Sequence, residues 1–169
     1  LWACNGVYPA LGLSLPEGVQ VISLSDLLAD AAHANPRPPR RLEKRVFFHD
    51  CRAAAAVAEA PAQAEAIQPD YHGPEDTLGK GRVFDAPRRV LNTLGAELIY
   101  SVWSRTLCKS CGADDGLWLT YPDLGAALAR QRLREAKRLG AEVMVTDSLL
   151  CARQLTAAAG PDDVEVRWL

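Results

Sequence analysis

Val46-Phe47-Phe48-His49-Asp50-Cys51 is a short apolar and aromatic run that ends in a polar pair and a cysteine. A β-branched, aromatic run of this length reads as a buried strand, here over 45–48. Val143-Met144-Val145-Thr146-Asp147 repeats the pattern near the other end of the chain, with Cys151 just behind it. Between the two, residues 96–103 form a third such run, which leads into Cys108-Lys109-Ser110-Cys111-Gly112. Three cysteines therefore follow three predicted strands. In a parallel α/β sheet the carboxyl ends of the strands share one edge, and ligands gather there. Cys51, Cys111 and Cys151 are expected to meet at that edge, as a metal or redox site requires.

The segments around these strands complete an alternating pattern. Residues 19–24 read as a strand, and Ser25-Asp26 as the start of a helix that Asn35-Pro36-Arg37-Pro38-Pro39 stops. Residues 53–66 are alanine-rich and helix-like despite Pro61, and residues 68–82 read as a long loop. A helix is expected over 85–94, with Asp85 as its cap, Pro87 early and Gly95 at its end. A strand follows over 97–102. The longest helix starts after Tyr121-Pro122-Asp123 and runs to about Leu139. Its apolar positions are Leu124, Ala127, Leu128, Leu133, Ala136 and Leu139, and Gly140 closes it. Val143 to Thr146 is a strand, residues 149–158 a helix, and residues 164–168 an edge strand. Alternating strands and helices predict an α/β fold, a mainly parallel sheet with helices on both faces. Residues 1–40 read as the end of a preceding module, or as a first strand–helix unit with its linker. Residues 41–169 read as the cysteine-rich domain.

Composition narrows the function. The chain has 169 residues, a net charge of −2 and 49% hydrophobic residues, so one domain with a real core is expected. Nothing in the charge suggests a nucleic-acid or membrane surface. No apolar run is long enough to span a bilayer, and no secretory signal is visible. Five cysteines is an odd number. Their wide spacing argues for metal or redox use in a reducing, cytoplasmic compartment over a disulfide framework. Soft thiolates select zinc or iron–sulfur clusters, and Cys108-x-x-Cys111 is a ligand-like pair.

Other residues carry plainer readings. His33 and His72 read as surface residues. Trp2, Trp103, Trp118 and Trp168 read as core or interface anchors, and Arg88-Arg89 as a solvated helix face. Gly112-Ala113-Asp114-Asp115-Gly116 lacks the Gly-Lys-Ser/Thr of a phosphate loop and reads as a turn. His49-Asp50 has no nucleophile elbow near it, so no Ser-His-Asp triad is expected.

His49-Asp50-Cys51, Ala86-Pro87-Arg88-Arg89-Val90-Leu91, Ser110-Cys111-Gly112 and Thr146-Asp147-Ser148-Leu149-Leu150-Cys151 together resemble the CCG cysteine-rich module. That module occurs in heterodisulfide reductase and in the iron–sulfur subunit of glycolate oxidase. Cys4-Asn5-Gly6-Val7-Tyr8-Pro9 resembles the end of a preceding module. The resemblance implies a Rossmann-like module that belongs to an oxidoreductase complex and docks with its other subunits. It implies electron transfer, or thiol/disulfide redox work, between a flavin or iron–sulfur donor and a thiol, disulfide or quinone acceptor.

The family's site takes five cysteines for an iron–sulfur cluster, or fewer for zinc. Carried over by position, Cys51, Cys111 and Cys151 are kept, while Ser110 and Ser148 stand where the family has cysteine. A serine hydroxyl is hard and stays protonated near neutral pH, so the five-thiolate cluster is not expected. Three readings stay open. Three thiolates hold a smaller iron–sulfur site with one open position. Alternatively they hold zinc with a fourth ligand from Cys108, His49 or Asp147. In the third, the site is lost and the module survives as a scaffold. For His49, a role in ordering the loop is favoured over ligation.

Overall fold

The computed structural model describes residues 24–34, 41–52, 82–113 and 116–169. Helix α1 (Leu24–Ala34) precedes strand β1 (Arg45–Phe48), helix α2 (Arg82–Thr93) and strand β2 (Glu97–Ile99). A 3-10 turn (Arg105–Leu107) and the short helix α3 (Leu117–Thr120) lead to helix α4 (Pro122–Arg138). Strand β3 (Val143–Thr146), helix α5 (Leu149–Ala158) and strand β4 (Glu165–Trp168) close the chain. The strands form one sheet in the order β2-β1-β3-β4, and every pair is parallel. No helix among the described residues is long and apolar enough to cross a membrane.

Period-two alternation in β1 and β3 sorts the core into two layers. Phe47 and Met144 face Ala129, Leu133 and Ala136 of α4 and Leu155 of α5. Val46, Phe48, Val143 and Val145 face the other way, onto Leu91 of α2. Ala29 of α1 then packs on Ala86 and Val90 of α2. The sheet thus carries helices on both faces, as the sequence predicts. β1 leads outward to β2, and β3 leads outward to β4 on the opposite side. The gap between the carboxyl ends of β1 and β3 is a topological switch point, where open α/β sheets build ligand sites.

Several boundaries differ from expectation. The linker over 35–39, the helix over 53–66 and all but the last residue of both the predicted strand over 19–24 and the loop over 68–82 lie outside the described residues; Leu24, expected in that strand, is the first residue of α1. Arg82, expected in that loop, is the first residue of α2, so Asp85 lies in the first turn and is no cap. There its carboxylate takes a 2.6 Å hydrogen bond from Arg105 Nη2. The strand over 97–102 stops at Ile99 because the chain turns on Ser101, whose Oγ accepts the backbone N–H of Trp103 at 3.0 Å.

α4 buries Leu133 and Ala136 as expected, but the rest of its buried face is shifted from the expected one. Leu124, Ala127 and Leu139 are exposed, while Gly125, Ala129, Arg132, Leu133, Glu135 and Ala136 are buried. The stripe includes two charged residues that satisfy each other, so a hydrophobic pattern alone misplaces it. Gly140 ends α4 as expected. Its φ is +82°, and Ala141 and Gly140 donate to the carbonyls of Ala136 and Lys137, both at 3.0 Å.

Candidate metal centre

β1 delivers His49, Asp50 and Cys51 to the switch point, and β3 delivers Asp147, Ser148 and Cys151. The loop after the 3-10 turn brings Cys111 in from the β2 side. Cys51, Cys111 and Cys151 are at most 2% exposed and share one core cluster with Phe47 and Met144. None of the four described cysteines forms a disulfide. A ring nitrogen of His49 and the sulfurs of Cys111 and Cys151 lie within 4.8 Å of one another.

Cys151 sits between the other two thiols and hydrogen-bonds with both. Its own ionisation is pushed far up, first by Cys111 and then by Cys51. The hydrogen bond from Cys151 holds the Cys111 thiol down to about 5 against the cost of burial, and His49 adds to the effect. Cys111 and Cys151 therefore titrate as a coupled pair, in which Cys111 is the thiol favoured to ionise. Such a cluster is prepared for a cation.

Two buried arginines hold the strand exit. From α2, Arg88 grips the Asp50 carboxylate with both arms, at 2.8 Å and 2.7 Å, and also donates to Phe84 O at 2.6 Å. The backbone N–H of Arg105 adds a third donor to Asp50 at 2.7 Å. The Arg88 guanidinium lies over the Phe48 ring, 4.9 Å from its centroid. From α4, on the other face, Arg132 lies over Phe47 at 5.0 Å. It donates to Glu135 at 2.6 Å, to Trp103 O at 3.3 Å and to His49 Nδ1 at 3.4 Å. Glu135 is in turn held by the Ser101 hydroxyl. His49 and Cys51 flank Asp50, so these contacts fix the direction of both.

The expectation of a solvated Arg88 is thus wrong. Arg89 is exposed, but Arg88 is buried because Asp50 neutralises it. Of the two places expected for the tryptophans, core or interface, Trp103 and Trp168 are not in the core: they are 42% and 49% exposed, with Lys109 Nζ 4.0 Å from the Trp103 ring centroid. Trp118 is half-buried, and Trp2 lies outside the described residues. His33 is exposed, as expected, and His72 lies outside. Cys108 is buried at the end of the 3-10 turn, but it does not join the group of His49, Cys111 and Cys151. Cys4 and Asp114-Asp115 lie outside the described residues.

The two serines have definite roles. Ser148 caps α5, accepting the Cys151 backbone N–H at 3.3 Å. Ser110 Oγ accepts the Gly112 N–H at 2.8 Å. Both hydroxyls are engaged with backbone beside a cysteine. The group whose ligand atoms lie within 4.8 Å of one another is His49, Cys111 and Cys151; Cys51 stands outside it and reaches it through a hydrogen bond with Cys151. That set suits zinc or a small iron–sulfur site and does not suit a five-thiolate cluster. Behind Cys111, Gly112 has φ +82°, and a Cβ there would stand 2.7 Å from the Gly125 Cα. The cysteine loop thus rests directly on the α4 backbone.

Asp147 is half-buried and takes a 3.2 Å hydrogen bond from Ser25 Oγ. Burial first, and then the neighbouring Cys51 and Asp50, push its carboxyl up to about 7. The folded protein therefore holds this proton more tightly than the unfolded chain. The stabilisation is full below the ordinary carboxyl pKa of about 4 and is lost as pH rises to about 7, by roughly 2–4 kcal/mol. Urea denaturation of the metal-free protein between pH 4 and 7 measures this loss, and Asp147→Asn flattens it. An Asp147→Asn slope as steep as wild type would assign the loss to other groups.

No protein-family model matches the chain. It is similar to a component of the dihydromethanophenazine:CoB–CoM heterodisulfide reductase of Methanosarcina barkeri, at 26% identity over 167 residues. The corresponding component of the Methanosarcina mazei reductase is 25% identical over 166 residues. In each case the match covers 92% of this chain and 34% of the relative. The chain therefore spans about a third of the length of these curated relatives.

Proposed function

We propose that this chain is a CCG-type cysteine-rich module of an oxidoreductase complex of the heterodisulfide reductase kind. Cys51, Cys111 and Cys151 hold a metal site, and the module works in the cytoplasm beside the complex's other subunits. The observation that carries this reading is the burial of Cys51, Cys111 and Cys151 in one core cluster at the switch point, brought there by the end of β1, the loop after the 3-10 turn and the first turn of α5. Random burial of small apolar cysteines gives no reason for such convergence. The similarity to a heterodisulfide reductase component supplies the class of complex.

Each residue has a task. The three cysteines offer soft donors. Arg88 and Arg132 hold the strand that carries His49 and Cys51, and the surrounding core keeps water from the sulfurs. A redox-active iron–sulfur group at this place would supply electron transfer toward a thiol, disulfide or quinone acceptor. Ser110 and Ser148 favour a second reading, zinc on the same three thiolates, because both positions are committed to backbone hydrogen bonds.

Anaerobic purification followed by metal and sulfide analysis, with an absorption spectrum, tests the two. Iron and sulfide in near-stoichiometric amount, with broad visible absorption, are expected for the redox module. A colourless protein with stoichiometric zinc would overturn electron transfer and leave the zinc reading. Absence of both metals would overturn both and leave a scaffold.

A further inference from the structure

His49 presents two nitrogens to a site that has one natural use for each. Arg132 is 1% exposed, and its guanidinium is cationic and carries only donors. Its Nε points at His49 Nδ1 from 3.4 Å. A hydrogen on Nδ1 would set N–H against N–H in a buried pocket. The other two bonds of Arg132, to Glu135 and to Trp103 O, keep the guanidinium from turning away. Nδ1 must therefore offer its lone pair, which leaves the ring proton on Nε2.

His49 Nε2 is fully buried and has no hydrogen-bond partner among the described residues. A buried N–H without an acceptor is costly, by about 1–3 kcal/mol. One ring nitrogen of His49 lies within 4.8 Å of the sulfurs of Cys111 and Cys151, and with Nδ1 held by Arg132 the nitrogen left to serve them is Nε2. A histidine that binds metal through one nitrogen usually donates the other N–H to a carboxylate or carbonyl. Here the other nitrogen faces an arginine, the reverse of that arrangement.

We infer that Arg132 locks His49 in the Nε2–H form, so that His49 donates a hydrogen bond to the site's sulfurs instead of ligating the metal. Arg132 is then a positioning residue acting through His49. The inference rests on the proposed metal site and deepens it. Three thiolates without histidine leave one coordination position for an incoming ligand, and a soft thiol is the chemistry that suits it.

The test uses the full chain, labelled with nitrogen-15 in histidine, reduced and metal-free. Long-range proton–nitrogen correlation spectra are expected to give His49 a protonated Nε2 and an unprotonated Nδ1. Arg132→Met is expected to release that preference, with loss of the pure Nε2–H signature. A wild-type spectrum with a protonated Nδ1 overturns the inference, whether or not Arg132→Met folds. In a second arm, zinc is added to wild type and to His49→Gln, which keeps an N–H donor. An unchanged zinc-to-protein ratio supports donation, and loss of zinc from His49→Gln makes His49 a ligand and overturns it. If wild type takes up no zinc, the zinc reading fails while the metal-free spectrum still decides the tautomer.

Discussion

Replacing Arg88 by alanine lowers the unfolding free energy by about 3–5 kcal/mol, the cost of stranding one partner of a buried ion pair. Asp50 is almost fully buried and, among the described residues, depends on Arg88 for two of its three hydrogen bonds. Of those three, the Arg105 N–H would remain. Water cannot reach the carboxylate without opening the contact between α2 and β1. Arg88→Lys recovers little, because an ammonium cannot place two parallel donors on one carboxylate. Arg88→Met with Asp50→Asn removes both charges and regains part of the loss, so the two changes are not additive. Urea denaturation measures all of these. A loss below about 1 kcal/mol for Arg88→Ala would mean that the pair is not buried as described.

Cys51→Ser, Cys111→Ser and Cys151→Ser each abolish metal binding, while Cys108→Ser leaves it whole. A hard, protonated hydroxyl does not replace a soft thiolate, and two remaining sulfurs hold neither zinc nor an iron–sulfur group tightly. Metal analysis of each purified variant reads the result, and circular dichroism checks that the fold persists. Full metal content in Cys51→Ser would show the ligand assignment to be wrong. Loss from Cys108→Ser would draw Cys108 into the site despite its place outside the group.

β1 and β3 were legible to the residue, because apolar runs buried on both faces have little else to be. Their carboxyl ends announced the candidate site for the same reason: parallel topology fixes which ends meet. The buried face of α4 was legible only at Leu133 and Ala136. No pattern singles out Arg132 and Glu135, and only the fold shows that they satisfy each other beneath Trp103 and Ser101. Arg88 was hidden by its exposed neighbour Arg89, although Pro87-Arg88 lies within the motif that carries the family resemblance. The three donors on Asp50 come from segments distant in sequence, and no local pattern encodes such a meeting.

Ser110 and Ser148 set a cost on any added thiolate. Each does a job for the backbone next to a cysteine. Putting a thiol at position 148 would strip α5 of its cap, at about 1 kcal/mol, before the added sulfur found a partner. A variant with one such cysteine is a weaker protein with no better site. The small hydrogen bonds that stabilise the chain thus also hold its thiolates at their present number.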